Sequence, residues 1–562
     1  MRFLLWIGWR SESKIFTLPD RASQVKIGLM SIRGRVCGLT GTNRARLIWI
    51  GSLLSLVALA CNFPSVFPKP SGITAGEFQQ TLTAMAPSAG DNQTPVPTQT
   101  ETLVAPFSGL STATPGQLPV EPPPADGAPM QFEYVVQSGD TLAALAKRFD
   151  IAPEEITSDQ PLAAEAYLPP GQRLVIPNRV GSIEYPSAVL PDSELVNSPS
   201  AAGFSIGDYI QGAGGFLSTY SETVNGATLT GTEIVEKVAL ENSVNARFLL
   251  AFLEYRSGWV LGAPRDSADL AHPIGFYVPD YRGLYKELVL TATQAGKGYY
   301  GWRSGDLTSM EFHDGETLRL DPTLNAASAA VQRLFALFYS RQDWEAAVYG
   351  SEGFVELYQQ LYGDAWARAA GIEPLFPAGL AQPALELPFA VGERWGFTGG
   401  PHLTWNSGSP RGAIDFSPTT GGAACSMSSA WVTASGSGVV TRSSDNVVAL
   451  DLDGDGFEQT GWVLIYLHLP EDDRIQAGTR VNLDDRLGHP SCERGKSTGT
   501  HVHIARKYNG EWLPADGPLP FVLSGWEVQE GSKSYQGALV KGDRIVTANP
   551  GGPSSALIIR GD

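Results

Sequence analysis

The sequence predicts a multidomain α+β protein: a small βααβ module, a mostly α-helical middle domain and a C-terminal antiparallel β domain. Three observations carry this prediction. A chain of 562 residues exceeds what one hydrophobic core holds and suggests about three or four domains. Through the middle, apolar residues recur at helical spacing, as at Ala330, Val331, Leu334, Phe335 and Phe338. From about Leu387 onward they alternate with polar residues in short runs separated by Gly-rich turns, the pattern of antiparallel strands.

The first 61 residues read as a signal region. Arg44 and Arg46 precede an apolar run from Leu47 to Ala60, too short for a membrane span. A basic flank, a short apolar core and a small residue before the cleavage point are the parts of a secretory signal. Cleavage before Cys61 resembles that of a bacterial lipoprotein, although Ala58 stands where such signals usually have Leu. The resemblance implies lipidation of Cys61, a membrane contact through the lipid, and an extracytoplasmic protein, surface-anchored or secreted. The competing reading is an uncleaved anchor. Residues before Arg44 do not fit a basic signal head, which places the expected start at Met30. Residues 62–130 are rich in Pro and Thr, as in Thr94-Pro95-Val96-Pro97-Thr98, and are expected to form a disordered tether. The net charge of −18 leaves nothing to neutralise a run of phosphates and argues against a nucleic-acid partner.

Residues 131–178 hold the small module. Tyr134-Val135-Val136-Gln137-Ser138-Gly139-Asp140-Thr141-Leu142 reads as a strand and a Gly-Asp turn, and Leu142, Leu145 and Phe149 as the inner face of a helix. Leu168-Pro169-Pro170-Gly171-Gln172-Arg173-Leu174-Val175-Ile176-Pro177 supplies the closing strand. These segments resemble a LysM domain, which binds the N-acetylglucosamine chains of peptidoglycan or chitin. The resemblance implies a sugar groove between the loop after the first strand and the loop after the second helix, with Gly139, Asp140, Thr141 and Leu142 as glycan-binding candidates. The plainer reading makes Asp140 and Thr141 helix caps, and the two readings are compatible.

After a linker at 179–202 comes the helical domain, 203–375, with helices expected at 232–240, 246–253, 326–339 and 343–362. Its segment from Val244 to Trp259 distantly resembles the helix of lysozyme-like transglycosylases that ends in Glu-Ser-Gly. Arg256 stands where that family has its acid, and a guanidinium cannot protonate a glycosidic oxygen. Glu254 is the remaining candidate, and the expectation is a non-catalytic spacer or wall-binding platform.

Chemistry concentrates in the last domain, 387–549, ahead of a tail at 550–562. Five of the seven histidines lie between His402 and His503. In His501-Val502-His503, alternate residues of a strand face the same way, so both imidazoles can reach one ion. Asp415, between Ile414 and Phe416, is a carboxylate among apolar neighbours and asks for a positive partner. Three motifs then resemble the LytM, lysostaphin and beta-lytic zinc metallopeptidases that cut peptidoglycan peptides. Ser497-Thr498-Gly499-Thr500-His501-Val502-His503 is similar to the family's Ser-Thr-Gly-x-His-x-His, and Tyr466-Leu467-His468-Leu469 to its Tyr-x-His-Leu. The commoner LytM pattern has a ligand His four residues before its Asp, where this chain has Arg411. Gly399-Gly400-Pro401-His402 instead fits the Gly-Gly-x-His stretch of the beta-lytic branch. The resemblance implies Zn2+ held by His402, Asp415 and His503, with His468 and His501 as the catalytic imidazoles. His489 is read as a loop residue near the site, and His272 and His313 as surface or core residues.

Of the four cysteines, Cys37 precedes the signal and Cys61 is the lipidation candidate, which leaves Cys425 and Cys492 as an expected disulfide in an exported domain. A cysteine-ligated zinc is disfavoured because no Cys-x-x-Cys occurs. Asp451-Leu452-Asp453-Gly454-Asp455-Gly456 resembles a calcium loop, but Trp462 replaces its final Glu, so a tight hairpin turn is expected. The whole implies a zinc endopeptidase acting on peptidoglycan cross-links, held to the glycan by LysM. The alternatives are a catalytically inactive wall-binding regulator and a structural glycan-binding lipoprotein.

Overall fold

The computed structural model describes residues 130–183, 187–419, 425–493, 497 and 499–561. The signal region, Cys61 and the tether up to residue 129 lie outside the described residues. No helix among the described residues is long and apolar enough to cross a membrane.

In the small module, β1 (Gln131–Val135) pairs antiparallel with β2 (Arg173–Pro177), and α1 (Leu142–Phe149) packs on one face of the pair. Helix α1 begins where Thr141 accepts the Ala144 N–H and ends at Asp150, whose backbone turns left-handed. Leu145 and Phe149 lie one turn apart and bury against Tyr134, Leu174 and Ile176. The expected second helix is only a 3₁₀ turn, Pro153–Glu155. It stops there because Ile156 turns into the core and Thr157 bridges to Val175 of β2.

The middle region is helical: α2 (Ile206–Ala213), α3 (Gly231–Asn242), α4 (Ala246–Ser257), α5 (Leu284–Arg303), α6 (Ala326–Ala336), α7 (Arg341–Tyr349) and α8 (Phe354–Tyr362), with short elements between. A capping box between Thr230 and Glu233 starts α3. The helix expected at 343–362 is two helices, because Gly350 ends α7 and Gly353 starts α8. Helix α5, 20 residues long, was not among the expected helices. It is buried on most sides, so no amphipathic stripe marks it. Gly298 lets α5 approach α6 closely, since a Cβ there would lie 2.6 Å from the Ala330 Cα.

The C-terminal region is built on a nine-stranded sheet. Its strands are β3 (Arg394–His402), β4 (Ala413–Pro418), β5 (Gly438–Ser444), β6 (Val447–Asp451), β7 (Trp462–Leu467), β8 (Arg480–Val481) and β9 (Val502–Tyr508), joined by Glu511–Trp512 and a late edge strand. A second sheet holds β10 (Val522–Leu523), β11 (Trp526–Glu530), β12 (Gly537–Lys541) and β13 (Arg544–Thr547). The edge strand is β14 (Leu557–Ile559), which pairs with β3, so the tail completes the main sheet. Its order is β8-β5-β6-β7-β9-β4-β3-β14. One face buries Val448, Leu450, Leu464, Tyr466 and Ile504 against Trp526, Val528 and Leu539. The other buries Val447, Ala449, Val463, Ile465 and Ala505 beside Trp512 and Tyr300 of α5. Burial on both faces is why β7 reads as an unbroken apolar run.

Candidate metal centre

Strand register brings together residues far apart in the chain. Asp415 on β4 lies directly opposite His503 on β9, and Leu467 of β7 opposes His503 from the other side. His468, the next residue, is thereby delivered beside them. β3 pairs with β4 and ends at His402. This approach requires Gly399, where a Cβ would lie 2.3 Å from Asp415 Oδ2.

His402 Nε2 is 3.0 Å from His503 Nδ1, and Asp415 Oδ1 is 3.3 Å from the former and 3.4 Å from the latter. Donors bound tetrahedrally to zinc at about 2.0–2.1 Å stand about 3.3 Å apart, so the three atoms fit one ion. All three residues are buried. Asp415 Oδ1 has no hydrogen-bond partner, an expensive state for a buried carboxylate that a dication compensates.

The outward nitrogens are tied down. His402 Nδ1 donates to the Gly400 carbonyl at 2.9 Å and His503 Nε2 to the Thr404 carbonyl at 3.1 Å. Each bond leaves a lone pair on the nitrogen that faces the cluster. Burial works to lower His402, but the Asp415 charge outweighs it and leaves the ring raised. His503 is lowered, chiefly by burial. Burial works to raise Asp415, yet the His402 and His501 charges hold it well below the usual range.

His501 and His468 flank this triangle, with ring centroids 4.4 Å apart. His501 Nε2 is 3.7 Å from Asp415 Oδ1, while its Nδ1 donates to the Gly499 carbonyl at 2.8 Å. His468 Nδ1 donates to the Glu493 carbonyl at 2.9 Å. Burial, followed by the neighbouring imidazoles, pushes His468 down to about 3, so it is neutral near pH 7. Its backbone is left-handed, φ 67°, a strained setting for a residue with a Cβ. Thr498 of the motif lies outside the described residues.

Sequence reasoning missed Tyr535. Its ring stacks on His402 at 4.2 Å, its carbonyl accepts the Gly400 N–H, and it is 44% exposed, so it walls the site from the solvent side. No motif surrounds it, and no sequence signal could have found it.

The other singled-out residues lie elsewhere. Arg411 pairs with Glu530 at the surface. His489 Nδ1 donates to the Ala430 carbonyl at 2.8 Å, and the ring packs on Trp431. His272 bonds Glu287 within the helical core, and His313 is half-buried on the same domain. Glu254 accepts the Val260 and Leu261 N–H groups, and Arg256 is buried against Phe338. Cys425 and Cys492 form a disulfide, Cα–Cα 4.9 Å. Asp451 accepts the N–H groups of Asp453, Gly454 and Gly456, which closes its turn. In the small module Asp140 is buried, accepting from Tyr134 and Gln137 and pairing with Arg148.

Known proteins resemble parts of this chain. Residues 188–375 match the model "LasA, N-terminal domain", and residues 134–177 match the LysM domain. Protease LasA of Pseudomonas aeruginosa (strain UCBPP-PA14) is 28% identical over 367 residues, covering 60% of this chain and 78% of that protein. The beta-lytic metalloendopeptidase of Achromobacter lyticus is 30% identical over 159 residues, covering 27% and 39%. The chain is similar over part of its length to these peptidases, and it carries a LysM domain. A solved structure, "A Novel M23 Metalloprotease Pseudoalterin from Deep-sea", is 24% identical, with TM-score 0.26, over 30% of this chain and 96% of that one. The LasA match begins at 188, inside the stretch expected to be a linker, where Val189 and Leu190 are already in the helical core.

Proposed function

We propose that this protein is an extracytoplasmic zinc endopeptidase, anchored through Cys61, that hydrolyses the cross-link peptides of peptidoglycan while its LysM module engages the glycan. The observation that carries the reading is the donor triangle of His402 Nε2, Asp415 Oδ1 and His503 Nδ1, with its unsatisfied carboxylate oxygen. The curated relatives include a protease and a metalloendopeptidase.

His402, Asp415 and His503 would hold zinc. The bound ion would supply Lewis acidity, polarising the peptide carbonyl and activating water without an acyl-enzyme. His501 donates through Nδ1 to Gly499, so its Nε2 presents a lone pair that takes the proton of the attacking water. His468 is likewise fixed through Nδ1 and kept neutral by burial, so it too enters as a proton acceptor. Once charged, either ring can hydrogen-bond the oxyanion or return a proton to the leaving amine. Tyr535 keeps His402 in place and closes one side.

The test is incubation of the full chain with purified peptidoglycan, with and without chelator, and mass spectrometry of released fragments. Peptide ends freed only in the metal-loaded sample support the reading. Glycan retention without peptide release would sink it and favour a wall-binding regulator.

A further inference from the structure

Of the two loops that would wall the LysM groove, the first is buried against the rest of the chain and the second touches it through the half-buried Tyr167. On the first loop, Gln137 donates to the Thr323 carbonyl at 2.8 Å, and Ser138 Oγ accepts the Phe376 N–H at 2.8 Å. Ser138 is only 8% exposed. Gly139 backs onto Arg303, where a Cβ would lie 2.8 Å from the guanidinium. On the second loop, the Tyr167 ring packs on Phe376 at 5.3 Å. Around these contacts, Lys147 pairs with Asp306 at 2.8 Å and Arg319 donates to the Arg148 carbonyl at 2.8 Å. A glycan chain cannot reach Gly139 or Tyr167 while Arg303 and Phe376 occupy the same surface.

Resting on the reading of this module as a glycan binder, we infer that docking of LysM on the helical domain and binding of a β-linked N-acetylglucosamine chain are mutually exclusive. The docked form is closed, and glycan selects the undocked one. The contacts suit a reversible latch. The Lys147–Asp306 pair lies at the exposed rim, where an ion pair contributes little. Apparent affinity then falls in proportion to the undocked fraction.

Two full-length forms of the protein move the latch without touching the groove residues. Asp306→Lys with Arg319→Glu repels Lys147 and removes the Arg148 bond, favouring the open form. Carbodiimide coupling of the wild-type chain joins Lys147 Nζ to the Asp306 carboxyl, 2.8 Å away, as an amide, the reagent taking up the water released, and locks the latch shut. The probe is a soluble N-acetylglucosamine hexamer, read by calorimetry, with hydrogen exchange of residues 137–142 reporting undocking and the Lys147→Arg variant, put through the same coupling reaction, as control. Expected is binding roughly tenfold tighter than wild type in the open variant, if about a tenth of the wild type is undocked, and loss of binding in the locked one. Equal binding by locked and control proteins overturns the inference and leaves LysM a glycan binder. No binding even by a variant whose exchange shows undocking overturns both the inference and the glycan-binding reading, while leaving peptide release untouched.

Discussion

Glu458→Gln should weaken the β scaffold by about 3 kcal/mol while leaving the metal centre chemically intact. Glu458 is buried between Arg442, at 2.8 Å, and Lys507, at 3.0 Å. Lys507 lies on β9, four residues beyond His503, so this network pins the strand that delivers a ligand. Burial works to raise the Glu458 carboxyl, and the two cations reverse it, down from its ordinary 4.5 to about 2. That fall corresponds to about 3 kcal/mol of stability at neutral pH. Breaking a buried pair by removing one partner costs about 3–5 kcal/mol, a consistent figure. Burial also pushes Lys507 down, with Glu458 opposing it, so the amide leaves an ammonium poorly compensated. The melting temperature should drop by roughly 6–12 °C. Because the carboxyl is depressed in the folded state, its contribution is complete above the unfolded pKa and disappears as pH falls through about 2. Urea unfolding of both proteins from pH 7 to pH 3 checks this, with the gap roughly halved at pH 3. A gap below about 1 kcal/mol at pH 7, or one independent of pH, would refute the reasoning.

The metal centre yields further expectations. His501→Ala should keep zinc but lower turnover by roughly 10²–10⁴-fold, as for a lost proton acceptor; metal loss in that variant, seen by elemental analysis, would mean the two histidines of the motif have exchanged roles. Gly399→Ala places a methyl 2.3 Å from Asp415 Oδ2, so zinc affinity in a chelator competition should fall at least about tenfold with circular dichroism unchanged. Tyr535→Ala removes the ring stacked on His402 and should weaken zinc about tenfold, whereas Tyr535→Phe, which keeps the stack, should bind it as the wild type does.

How much of this was legible in the sequence depended on whether a feature is local. His501 and His503 declare themselves because strand periodicity is two, and Asp415 because a carboxylate between Ile414 and Phe416 needs compensation. That Asp415 and His503 are cross-strand neighbours is a matter of register between segments far apart, which only the motifs hinted at. Tyr535 reaches His402 from a loop with no signature. Helix α5 stayed hidden because Gly296, Gly298 and Gly301 lower its propensity and burial on most sides erases the stripe. The LysM strands and α1 follow from apolar spacing, but the docking of Gln137, Ser138 and Tyr167 on distant Thr323 and Phe376 leaves no trace in any local pattern. The β14 edge strand was equally unreadable, since Leu557–Ile559 pairs with residues more than 150 positions earlier.

The most direct measurement is a crystal structure of the zinc-loaded protein with anomalous data at the zinc edge. One peak, about 2.0–2.2 Å from His402 Nε2, an Asp415 oxygen and His503 Nδ1, is the predicted result. A peak held instead by His468 and His501, or no peak within reach of Asp415, would contradict the account.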